Sequence, residues 1–84
     1  MSISKEHIIM LDYLKMNHNE PLNGITIESL MNNLENLMLK YHTIYNWIQY
    51  YIELGLIEEG YKEKRKNTYY ITKFGIEYLK SLGL

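Results

Sequence analysis

Apolar positions first recur at Ile8, Leu11 and Leu14, widened by Ile9 and Met10, with Ser4 ahead of them as an N-cap. Steps of three and four residues mark one helix face, so the spacing predicts a first helix over about 4–17. Pro21 and Asn23-Gly24 then punctuate a polar surface loop. Thr26 is the next cap, and Glu28, Leu30, Met31 and Leu34 continue a short second helix over about 26–35. Glu35-Asn36-Leu37-Met38 reads as a turn. The third helix, about 39–54, carries the clearest pattern: Ile44, Trp47, Ile48, Tyr51 and Ile52 share one face. It stops at Leu54-Gly55-Leu56, where glycine can take the left-handed conformation that closes a helix.

Beyond Gly55 the period changes from helical to extended. Leu56 to Tyr61 and Thr68 to Ile71 are short runs rich in aromatic and branched residues, separated by a charged tip from Lys62 to Asn67. They predict a hairpin over about 56–71. Thr72 caps a last helix over about 72–82, in which Phe74, Ile76, Tyr78, Leu79 and Leu82 cover more than one face. The predicted class is mainly α with one two-stranded β-hairpin, in the order α-α-α-β-β-α. Among the nine tyrosines, Tyr51 and Tyr70 are expected in the core with hydrogen-bonded hydroxyls.

The length of 84 residues suits one domain, 1–84, and 46% hydrophobic content is ample for its core. Absence of cysteine excludes disulfides, thiolate metal sites and a cysteine nucleophile. No apolar run exceeds the four residues Ile8 to Leu11, so neither a membrane span nor a secretory segment is expected, and the chain reads as cytoplasmic. His7, His18 and His42 show no metal-ligand spacing, and Glu58-Glu59 on a strand point to opposite faces. There is no glycine-rich phosphate loop. These absences predict no enzyme activity, no cofactor and no metal.

Charge changes the picture further. The net charge of −1 argues against gripping nucleic acid by bulk attraction. It is unevenly placed, however. Residues 1–37 hold two basic against five acidic groups, whereas residues 38–84 hold seven against five, densest at Lys62-Glu63-Lys64-Arg65-Lys66. The third helix has an unusual outer face as well, with His42, Asn46 and Gln49 opposite the apolar stripe and Tyr45 on its flank. Neutral donor and acceptor side chains on a core-anchored helix suit the reading of base edges, and Asn and Gln pair with adenine.

The helix pair, followed by Leu54-Gly55-Leu56-Ile57-Glu58, a charged gap, and Tyr69-Tyr70-Ile71-Thr72-Lys73-Phe74-Gly75-Ile76-Glu77-Tyr78-Leu79, resembles winged helix-turn-helix DNA-binding domains. The resemblance is to small PadR-like and MarR-like regulators, and its specific part covers residues 39–79. It implies sequence-specific binding of double-stranded DNA by a transcriptional regulator. The third helix would enter the major groove with Lys40, Tyr41, His42, Thr43, Tyr45, Asn46 and Gln49, and an A·T-leaning site is expected. Lys62, Lys64, Arg65 and Lys66 of the wing would meet the backbone or minor groove. The absence of arginine from that helix, and a long turn before it, depart from the usual pattern.

Two expectations concern partners. A wide apolar stripe on the first helix and a many-sided last helix predict a homodimer through those two helices, as resembling regulators pair through terminal helices. The alternative function is a winged-helix adaptor that contacts protein and not DNA, which the net negative charge favours.

Overall fold

The computed structural model describes residues 3–84; Met1 and Ser2, which the sequence reading includes in its domain, lie outside them. Its elements are α1 (Lys5–Asn17), α2 (Ile27–Asn33), α3 (Tyr41–Glu53), β1 (Ile57–Glu59), β2 (Tyr69–Ile71) and α4 (Lys73–Ser81). The order is the predicted one, and the architecture is a winged helix. Ser4, Thr26 and Thr72 each accept a backbone N–H from the first turn of α1, α2 and α4 respectively. Such caps satisfy donors that a helix start leaves without an internal partner.

The core forms where the helical stripes meet the inner face of the hairpin. Met10, Leu11 and Leu14 from α1, Leu30 from α2, Ile44 and Ile48 from α3, and Leu79 from α4 are fully buried with Ile57 and Ile71 of the strands. Packing α2 on α3, and α1 on both α4 and β2, encloses them. Gly75 lets α4 come down on the hairpin, because a Cβ there would collide with the Leu56 carbonyl oxygen and lie 2.6 Å from Ile71 Cγ1.

The hairpin is antiparallel, with Ile57 opposite Ile71, Glu58 opposite Tyr70 and Glu59 opposite Tyr69. A third segment, absent from the sequence reading, joins it. Ile25 exchanges two backbone hydrogen bonds with Tyr69, each 2.9 Å. Gly24 permits this approach, since a Cβ there would sit 2.5 Å from Thr68 Oγ1. With β1 on one side and Ile25 on the other, β2 is central. This corrects the tyrosine expectation. Alternation along β2 turns Tyr69 and Ile71 inward, leaving Tyr70 half-buried with its hydroxyl donating to Glu58 Oε2 at 2.7 Å across the strands. Tyr51 is buried as expected.

The connection from α2 to α3 is where the fold departs most from the periodic pattern. Glu35–Leu37 forms a 3-10 turn, and Met38 follows in the left-handed conformation at φ 54°, with 87% of its surface exposed. An L-residue there carries roughly 1–2 kcal/mol of steric cost. The reversal redirects the chain so that α3 starts at Tyr41, two residues after the start that Leu39 suggests.

Candidate nucleic-acid interface

α3 is held by Ile44, Ile48 and Tyr51, all buried on its inner face. Rotation of about 100° per residue then leaves Tyr41, His42, Tyr45 and Asn46 exposed, with Thr43 and Gln49 half-buried at the margins. Asn46 Nδ2 donates to His42 Nε2 at 3.2 Å, one turn apart. α3 begins differently from the other three helices: its N-cap is Lys40, exposed, whose side chain makes no capping hydrogen bond. A lysine has no acceptor to offer. The first-turn N–H groups of α3 therefore lack the hydroxyl acceptor that serves α1, α2 and α4.

The wing presents Lys62, Lys64, Arg65 and Lys66, all exposed. Its tip is closed by Glu63 and Lys66, which exchange backbone hydrogen bonds of 3.0 Å in both directions. Lys64 sits at φ 60° in the tight reversal between them. Two-residue hairpin loops require positive φ, so the tip geometry fixes where these cations project.

The first two turns of α3 and the returning arm of the wing face each other across a cleft of about 140 Å³. Tyr41 and Tyr45 line it from α3, Lys66 and Asn67 from the wing, and Glu28 from α2. Lys66 Nζ lies 3.0 Å from Glu28 Oε2. Of the residues singled out from sequence, Tyr41, Tyr45 and Lys66 thus meet at the cleft. Lys40, His42, Thr43, Asn46 and Gln49 lie along α3 outside its lining, and Lys62, Lys64 and Arg65 lie further out on the wing. Glu28 and Asn67 were not singled out. In the linear sequence Glu28 is one more first-turn acid and Asn67 one more loop residue, and only folding brings them beside α3.

A second hollow, of about 620 Å³, lies behind the C-terminal half of α3. Ile3 and His7 line it from the start of the chain, Trp47, Tyr50 and Leu54 from the end of α3, and Tyr78 from α4. The His7 ring packs on Trp47 with centroids 4.1 Å apart, and its Nδ1 shares a 2.7 Å hydrogen bond with the Tyr51 hydroxyl. Burial lowers the His7 pKa from its ordinary value, an effect that Glu6 partly opposes. Burial, with Tyr78 and Tyr50 adding to it, pushes Tyr51 up to about 12.

The sign of the resulting pH dependence follows from linkage. Above the unfolded histidine value, roughly 6.5, neither folded nor unfolded His7 is charged and the fold loses nothing. Below that value the unfolded chain takes up a proton that the folded chain resists, so stability falls until the pH drops through the lowered folded pKa. Urea midpoints measured at pH 7.5 and 5.5 should therefore fall more for wild type than for His7→Phe. Equal falls in the two proteins would refute this assignment.

Among the described residues, no helix is long and apolar enough to cross a membrane, and no three His, Cys, Asp or Glu side chains gather as a metal site. No family model matches the chain, and neither does any curated protein. Among solved structures it is similar to the DNA-binding TubR fragment from Clostridium botulinum, determined in solution, with a TM-score of 0.75 and 34% sequence identity. The match covers 98% of this chain and 99% of that one. Identity of this order along nearly the whole of both chains, on a shared winged-helix frame, reflects common descent: the chain belongs to the TubR family.

Proposed function

We propose that this chain binds double-stranded DNA sequence-specifically, inserting the N-terminal half of α3 into the major groove with the wing on the adjacent backbone or minor groove. The observation that supports the reading is the cleft in which Tyr41 and Tyr45 of α3 face Lys66 and Asn67 of the wing. His42, Asn46 and Gln49 supply donors and acceptors for base edges. Tyr41, Thr43 and Tyr45 suit sugar and phosphate contacts, and Lys40, Lys62, Lys64 and Arg65 add cations. A backbone phosphate would provide the acceptor that the start of α3 lacks. Kinship to a TubR fragment described as DNA-binding supports the same reading. Control of transcription would follow from occupancy of an operator.

In-vitro selection from random duplexes, followed by titration of the selected site over a range of salt, tests this. An A·T-leaning consensus is expected, because the exposed face of α3 offers Asn and Gln and contains no Arg. Four phosphate contacts would give a log–log salt slope of roughly −3 to −4 per protomer. Failure to enrich any sequence, together with weak salt-insensitive binding, would favour the protein-contact adaptor instead.

The binding unit is proposed to be a homodimer formed through α1 and α4, joined by the end of α3. Support comes from apolar side chains left uncovered around the second hollow and beyond it: Phe74 is 63% exposed, and Tyr50, Leu54 and Leu82 are exposed too. A two-fold pair would then read a two-fold site. Sedimentation should show a concentration-dependent dimer for wild type and a monomer for Phe74→Asp. A wild-type monomer at tens of micromolar would remove the proposal.

A further inference from the structure

The wing offers four cations within five residues, yet one of them is already engaged inside the protein. Lys66 reaches across the cleft to Glu28 in the first turn of α2, while Lys62, Lys64 and Arg65 make no ion pair among the described residues. Both partners are well exposed, at 62% and 44% of their side-chain surface. An ion pair so exposed adds little to folding stability, so beyond the modest preference of a helix start for a first-turn acid the fold gives little reason for an acid at this position. The surroundings give a better one. Glu28 is a negative charge set into the cleft between Tyr41, Tyr45 and Asn67, where the backbone of a bound duplex would run. Its own backbone N–H, and then Lys66, hold its carboxyl below the ordinary carboxylate range. The charge therefore persists at neutral pH.

We infer that Glu28 is an affinity-setting residue: by pairing with Lys66 it withholds one wing cation from the duplex backbone and keeps binding weaker than this surface otherwise allows. The inference rests on reading the cleft between α3 and the wing as the duplex-binding face. Within that reading, the protein grips the backbone through Lys40, Lys62, Lys64 and Arg65, with Lys66 latched aside. Weaker backbone attraction lowers occupancy of every duplex, because the phosphate term is sequence-independent and supports binding to any duplex alike. Removing the latch should raise affinity for random and preferred sequences together, so the ratio between them does not improve.

The test compares wild type, Glu28→Gln, Lys66→Gln and the double variant on a random-sequence duplex, by fluorescence anisotropy between 50 and 200 mM salt. Glutamine is isosteric with glutamate and somewhat shorter than lysine, and it removes either charge. Glu28→Gln should bind about five- to tenfold more tightly at the lowest salt and steepen the log–log slope by about 0.9, the signature of one added phosphate contact. Lys66→Gln alone, which leaves the Glu28 carboxylate unneutralised, should bind no more tightly than wild type, and the double variant should stay within about twofold of wild type, since freeing a cation requires the cation. Unchanged binding by Glu28→Gln, with wild type binding normally, overturns the inference and leaves the DNA reading intact. Equal tightening with and without Lys66 also overturns it, because the carboxylate would then act by repulsion alone. If none of the four proteins binds duplex at 50 mM salt, the reading of the face fails and the latch fails with it.

Discussion

Replacing Ile48 by alanine should cost about 2–5 kcal/mol of folding stability, the range for truncating a large aliphatic side chain in a packed core. Ile48 is fully buried at the middle of α3, in the same core as the inward residues of α1, α2, α4 and the hairpin. The surrounding elements can close the resulting cavity only in part, so both the transfer of the side chain and the void contribute. For a domain of 84 residues that is a large share of a total on the order of 4–13 kcal/mol. Asn46→Ala, two positions earlier and exposed, should stay within about 0.5 kcal/mol of wild type. Urea denaturation of the two variants compares the faces of one helix. Comparable losses for both, or a negligible loss for Ile48→Ala, would mean that α3 is not anchored along this edge.

That contrast between faces was legible before folding, because helical periodicity records which side of α3 is covered. Local chemistry was legible for the same kind of reason. Ser4, Thr26 and Thr72 announce helix starts through side-chain oxygens that reach only a few residues along. Gly55, at φ 79°, closes α3 through its own backbone freedom. Met38 gave no such signal. A large apolar residue takes the left-handed conformation at the reversal between α2 and α3, where glycine is the residue that ordinarily announces it.

What the periodic pattern does not record is the identity of the neighbour. The Tyr69–Ile25 pairing gives β2 its second neighbour, and it depends on Gly24 and Thr68 fitting against each other. The Glu28–Lys66 pair joins residues far apart in the chain, and so does the His7–Tyr51 hydrogen bond. Each exists only once tertiary packing brings two elements together. The family reading has the same limit. Gly55-Leu56-Ile57 and Tyr70-Ile71-Thr72 report a winged-helix frame, which resembles PadR-like and MarR-like regulators, whereas similarity along the full chain places the protein with TubR. A frame shared by many families does not specify the branch or the task.

Substituting both Asn46 and Gln49 by alanine should abolish most discrimination between a selected duplex and a random one. Each bidentate amide–adenine contact contributes about 1–3 kcal/mol of discrimination, equivalent to roughly 5- to 150-fold in relative affinity. Asn46 and Gln49 are one turn apart on α3, the first exposed and the second half-buried at the margin of that face. In the free protein one N–H of the Asn46 amide donates to His42, which leaves its second N–H and its carbonyl oxygen for a base. Asn46→Ala therefore also releases His42 to reorient, and the two single effects should not sum to the double. The backbone contacts proposed for Lys40 and the wing are untouched, so affinity for random duplex should change by no more than about twofold, with the salt slope preserved. Competition binding with selected and scrambled duplexes reads both quantities from one titration. Equal losses on the two duplexes would assign Asn46 and Gln49 to positioning and not to base reading. No loss on either would move the contact away from this face of α3, toward the wing or a neighbouring protein.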